Sequence, residues 1–220
     1  MKKILVVDNN PLVLRLLGSQ FERLGHEVRL AADGLEALEI LKSYVPEIIF
    51  IDLVMPNIDG AKLCRIIRGM EHLRGVYLVI LSAIAAEERI DVRQFGADAC
   101  IAKGAFDRIA AHVDAVLAEA DKPGSERSSK VFGLDEVYER TITRELLTSK
   151  HHYEVILNNM TEGIVEFAPD RRVISVNPAA LSFLGLPEEN VLGADFLSLF
   201  VSSAAARFAE ALARAGAGPV

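Results

Sequence analysis

Over residues 1–120, short apolar runs alternate regularly with amphipathic stretches, and this alternation restricts the fold more tightly than any other property of the chain. Ile4-Leu5-Val6-Val7, the run from Glu47 to Asp52, Val76-Tyr77-Leu78-Val79-Ile80-Leu81 and Ala99-Cys100-Ile101-Ala102 are nearly continuous apolar segments, the signature of strands buried on both faces. Glu27-Val28-Arg29-Leu30-Ala31 alternates, as an edge strand does. Between them lie helical patterns: Leu12, Leu16, Leu17, Phe21 and Leu24 on one face, then Leu35, Leu38 and Leu41, then Leu63, Ile66, Ile67 and Met70. A more polar helix is predicted from Ala86 to Phe95, and a last one from Phe106 to Ala120. Strand–helix alternation with buried strands specifies a parallel sheet covered by helices on both faces.

In such sheets ligands collect outside the carboxyl ends of the strands. The residues at those ends are Asp8, Asp52, Ser82 and Lys103. Each alone has an ordinary structural reading: an acid as a helix cap, a serine as a turn residue, a lysine as a solvated amine. Two acids, a hydroxyl and an amine on one rim form a constellation suited to chemistry on a charged group. Pro56 and Asn57-Ile58-Asp59-Gly60 follow the Asp52 strand and supply the turn before the next helix.

With these residues in place, residues 1–120 resemble the receiver domain of two-component response regulators. Val6-Val7-Asp8, Asp52 with Met55-Pro56 and Asp59-Gly60, Ser82-Ala83, and Lys103 carry the resemblance in order. It implies a flavodoxin-like, doubly wound, five-stranded parallel sheet of order 2-1-3-4-5. It also implies that Asp52 is a phosphoacceptor, attacking the phosphorus of a phosphohistidine on a cognate histidine kinase or phosphotransfer protein. Mg²⁺ would be held by Asp8, Asn9, Asp52 and the backbone carbonyl of Val54. Lys103 would pair with the phosphoryl group, and Ser82 would donate to it as the switch.

Three positions depart from that pattern. Asn9 stands where the family usually has a second acid, which removes a negative charge from the metal site. Gly104 replaces the usual proline after the lysine and does not lock that loop. Cys100 occupies the aromatic switch position on the last strand.

Residues 121–132 are polar, contain Pro123-Gly124-Ser125 and lack periodicity, so they read as a linker. Helical spacing returns over 133–158, a connecting helix that would form a homodimer in its sharper reading and pack on its own chain in the plainer one. His151-His152 point in different directions on a helix and make a poor metal pair. From Tyr153 to Val220 the chain resembles the start of a PAS sensor domain. That likeness rests on Asn158-Asn159-Met160-Thr161-Glu162-Gly163, the hairpin around Pro169-Asp170-Arg171-Arg172, and Asn177-Pro178-Ala179-Ala180. Val165-Glu166-Phe167 and Val173–Val176 would be its first strands. The expectation is an incomplete α+β module with an open sheet edge, a fragment of a longer polypeptide, whose ligand is unknown.

A formal charge of -7 argues against a general nucleic-acid binder, and no apolar run reaches membrane-spanning length. Cys64 and Cys100 have neither metal nor disulfide spacing and suit a reducing cytoplasm. The parent protein implied is a hybrid sensor histidine kinase acting in a phosphorelay. The alternatives are a response regulator with a cyclic-dinucleotide synthase output, and a pseudo-receiver that acts as a protein-interaction module.

Overall fold

Burial follows the sequence pattern in the computed structural model, which describes residues 1–82, 95–103, 106–122, 130–132, 153 and 155–215. The chain divides into two compact units, Met1–Lys150 and His151–Val220.

In the first unit β1 (Lys3–Val7), β3 (Ile48–Asp52), β4 (Tyr77–Ser82) and β5 (Ala99–Ala102) are buried almost throughout, while β2 (Glu27–Ala31) is half exposed at the edge. All pair in parallel, in the order β2-β1-β3-β4-β5 that was expected. The helices α1 (Pro11–Arg23), α2 (Gly34–Leu41), α3 (Gly60–Gly69) and α4 (Phe106–Ala120) cover the faces. One face packs Phe21 on Phe50, with ring centroids 4.9 Å apart, and gathers Ile4, Leu17, Val79, Ile101 and Val116.

The sheet has a sixth strand that the sequence reading did not contain. β6 (Lys130–Phe132) lies parallel to β5, pairing Ala99 with Lys130, Cys100 with Val131 and Ile101 with Phe132. The expected five-strand order stands, and β6 adds a strand at its end from Lys130–Phe132, the last three of the residues read as a linker. Lys130-Val131-Phe132 is too short to show a period, but β5 would otherwise present a row of unpaired backbone groups. Phe132 also packs against the core. The helix predicted over 86–95, apart from Phe95, and most of the connecting helix over 133–158 lie outside the described residues. So do Ala83, Gly104 and His151-His152.

In the second unit β7 (Val165–Phe167) and β8 (Val173–Val176) form the expected antiparallel hairpin. Gly193–Asp195 runs along the start of β8: Val173 donates to the Ala194 carbonyl and accepts from Gly193, at 3.0 and 2.8 Å, and Arg172 bridges Asp195. That edge is therefore partly covered, where the sequence suggested it would be open. Helices α5 (Pro178–Leu184), α6 (Glu188–Val191) and α7 (Ser202–Ala215) follow. Phe196 stacks on Phe167 at 5.0 Å, and Phe200 and Phe208 extend the cluster at 4.5 Å from each other. Asn177 holds this unit together. Its Oδ1 accepts from the N–H groups of Ile164 and Ala180, and its Nδ2 donates to the carbonyls of Leu157 and Glu162.

Candidate functional site

Three strand ends of the first unit meet at one ammonium group. β1 runs out at Val7, and Asp8 extends its pairing by one step, its N–H donating to the Ala31 carbonyl at 3.1 Å. Asp52 is the last residue of β3 and pairs with Leu81, so Ser82 stands one step beyond it on β4. Ser82 pairs in turn with Ala102, and the Lys103 N–H donates to the Ser82 carbonyl at 2.7 Å. The parallel register thus carries the four predicted residues to the same edge of the sheet.

Their side chains converge unevenly. Lys103 Nζ lies 2.7 Å from Asp8 Oδ2 and 2.9 Å from Asp52 Oδ1. Asp8 is wholly buried, Asp52 is 7% exposed, and Ser82 is buried beside them. The second Asp8 oxygen accepts the Asn10 N–H at 2.9 Å. Asn10 is a residue the sequence reading passed over. Its own side chain caps α1 through the Leu12 N–H at 3.0 Å, and Pro11 opens the helix. The signal was the Asn-Pro pair, a cap followed by a proline at the first helical position.

Asn9 is exposed on the loop, next to Asp8 but outside the cluster of ion pairs, and Val54 is exposed past the end of β3. Cys100 is buried in the middle of β5 with its thiol pushed up to about 12 by burial, so it is an inert core residue.

Burial raises the Asp52 carboxyl above the ordinary carboxylate range. The charge and hydrogen bond of Lys103 work against that shift, Asp8 adds to it, and the Val54 backbone hydrogen bond opposes it. Lys103 is therefore what favours an ionised Asp52 in a buried setting.

The chemistry of the donor set suits a divalent cation. Two carboxylates already share one positive charge, and hard oxygen ligands are what Mg²⁺ prefers. The residues fit. No group of three His, Cys, Asp or Glu side chains among the described residues could hold a metal, so further ligands would have to be amide or carbonyl oxygens. Among the described residues no helix is long and apolar enough to cross a membrane.

Comparison with known proteins gives two family matches. Residues 4–114 match the response regulator receiver domain, and residues 151–215 match the PAS domain. The alkaline phosphatase synthesis transcriptional regulatory protein PhoP of Bacillus subtilis is 30% identical over 202 residues, covering 89% of this chain and 77% of its own length. The response regulator MprA of Mycobacterium tuberculosis is 31% identical over 174 residues, covering 79% of this chain and 75% of that protein. The sensor histidine kinase RcsC of Salmonella typhimurium is 38% identical over 100 residues, covering 46% of this chain and 10% of the kinase. The chain thus spans between a tenth and about three quarters of the length of these relatives.

Proposed function

We propose, from the premise that this chain belongs to the response regulator receiver family of two-component signalling, that Asp52 accepts a phosphoryl group from a phosphohistidine. The observation that carries the reading is the Lys103 ammonium held between Asp8 and Asp52 where β1, β3 and β5 end. A carboxylate oxygen of Asp52 attacks phosphorus, the P–N bond breaks, and the imidazole leaves with the bonding pair and takes up a proton. Little covalent assistance is needed; neutralising and positioning the charge is the main requirement. Bound Mg²⁺ would supply that neutralisation, held by Asp8, Asp52, the Val54 carbonyl and the amide oxygen of Asn9. Lys103, already seated on both acids, would turn its charge to the phosphoryl oxygens. The Ser82 hydroxyl would donate to one of them and draw its loop inward.

Asn9 removes one charge from the metal set, so Mg²⁺ binding is expected to be weaker than with two adjacent acids. Cys100 stands where the usual switch has its aromatic partner, so the state of Ser82 is read out by some other contact.

The parent protein in this reading is a cytoplasmic hybrid sensor histidine kinase in a phosphorelay, in which the receiver precedes the PAS module. The likeness to RcsC and the PAS match support it. The likenesses to PhoP and MprA favour a response regulator instead. Transfer of phosphate from ATP to a histidine of the intact gene product separates the two: a response regulator shows none.

The test of the site is direct. With Mg²⁺ and a small-molecule phosphodonor, intact-mass measurement should show one added phosphoryl group, lost on chelation and in Asp52→Asn. Absence of the mass gain from wild-type protein, with Asp52→Asn indistinguishable from it, rejects phosphoryl acceptance and leaves a receiver used only as a binding module.

A further inference from the structure

Val54, the expected carbonyl donor, sits on the loop between β3 and α3, and that loop is clamped at its two ends. The Gly60 N–H donates to the Leu53 carbonyl at 3.1 Å, and a Cβ at Gly60 would lie 2.1 Å from the Asp52 carbonyl oxygen. Only glycine allows the loop to close that tightly on the strand end. Asp59 caps α3 by accepting the Lys62 N–H at 2.8 Å. Ile58 is wholly buried against the first turn of α2, so close that a Cβ at Gly34 would come within 2.7 Å of its Cβ and its carbonyl oxygen.

Between these clamps stands Asn57. It is not glycine, yet its backbone is left-handed, with φ at +61°. Asparagine adopts that region more readily than other residues with a side chain. Its Nδ2 donates to Asp33 Oδ2 at 2.9 Å. The acceptor is itself held: Asp33 Oδ1 caps α2 through the Glu36 N–H at 2.8 Å, and Glu36 Oε2 returns the favour to the Ala32 N–H at 2.7 Å. These two contacts brace Asp33 at the start of α2.

We infer that Asn57 is a positioning residue for the chemistry at Asp52, setting where the loop holds Val54 relative to the two acids. It touches neither acid. It ties the exposed middle of the loop to a fixed post on α2, while Ile58 and Gly60 fix the loop's exit. Both Asn57 and Asp33 are exposed at their hydrogen bond, so that bond adds little to overall stability. Its effect falls on the loop's conformation and hence on any ligand the loop supplies. The inference rests on Asp52 being the phosphoacceptor and Mg²⁺ its cation.

Three substitutions test it on the full chain. Asn57→Gly keeps the left-handed backbone and deletes the amide. Asp33→Asn keeps the α2 cap through its amide oxygen and lets Asn57 turn its own amide to accept instead of donate. Asp52→Asn reports whether Mg²⁺ binds at this site at all. In calorimetric titration with Mg²⁺, Asn57→Gly should bind about tenfold more weakly, the lower end for partners that act through a ligand. Asp33→Asn should match wild type. Amide hydrogen exchange over Leu53–Ile58 should quicken in Asn57→Gly alone, with its thermal midpoint within about 2 °C of wild type. If Asp52→Asn abolishes Mg²⁺ binding and Asn57→Gly leaves it unchanged, the role of Asn57 is overturned and the site stands. If Asp52→Asn binds Mg²⁺ as wild type does, the reading of the site falls and the inference falls with it.

Discussion

Lys103 in the first unit and Asn177 in the second each tie several chain segments together through one side chain, and they do it with opposite chemistry. Asn177 is neutral and saturated: two accepted and two donated hydrogen bonds use its whole capacity on the backbone of Leu157, Glu162, Ile164 and Ala180. Lys103 is charged and shared between two acids, one wholly buried and one nearly so. A saturated neutral node has a single good arrangement. A cation facing two anions has several, because any other positive group can take its place and any new anion can draw it away. The difference separates a joint that defines a fold from one that can change state.

The sharpest way to break the comparison is Lys103→Ala. Two buried carboxylates then lose their counter-charge, which should destabilise the first unit by about 3–5 kcal/mol in denaturation monitored without metal. Added Mg²⁺ should recover part of that loss and should stabilise this variant more than wild type. If Mg²⁺ does nothing for it, the two acids do not share a replaceable cation.

Asn177→Ala comes next. Four backbone groups lose their partner, among them the Ala180 N–H that caps α5, and the second unit should weaken by about 2–3 kcal/mol. Amide exchange should rise at Ile164 and Ala180 while the first unit's transition stays where it was. No ion should rescue this variant, which is the contrast with Lys103.

The smallest effect is a gain. Burial holds the Asp52 carboxyl above the ordinary value of 3.8. The folded state therefore keeps its proton to higher pH than the unfolded chain does, and stability falls as pH rises from that ordinary value through the raised one. At neutral pH the ionised group is a cost, so Asp52→Asn should be more stable than wild type by a small margin. Well below the ordinary carboxylate value, where both states are protonated, the advantage should disappear. A melting series across pH with no crossover of this kind would mean that Lys103 compensates the burial fully.

Much of this was legible in the chain. The buried strands declared themselves by unbroken apolar runs, and a parallel sheet leaves its functional groups at the carboxyl ends, so Asp8, Asp52, Ser82 and Lys103 could be named before their distances were known. Their pairing could not. That Lys103 reaches both acids depends on the register between β4 and β5, a relation between residues far apart in sequence. The partners of Asn10 and Asn57 were hidden for another reason: Asn57 read only as a turn residue and Asn10 only as a cap before proline, and short polar contacts leave no periodic trace. β6 was hidden because three residues carry no period and the preceding stretch looks like any solvated connection.

That sixth strand bears on where the first unit can be cut. The family match ends at residue 114, but hydrogen-bonded sheet continues to Phe132. The family match and the hydrogen-bonded sheet therefore end at different residues. A piece trimmed to the family boundary would leave β5 bare and prone to self-association, whereas one carried past Phe132 would keep β5 paired and present only the three-residue β6 as its edge.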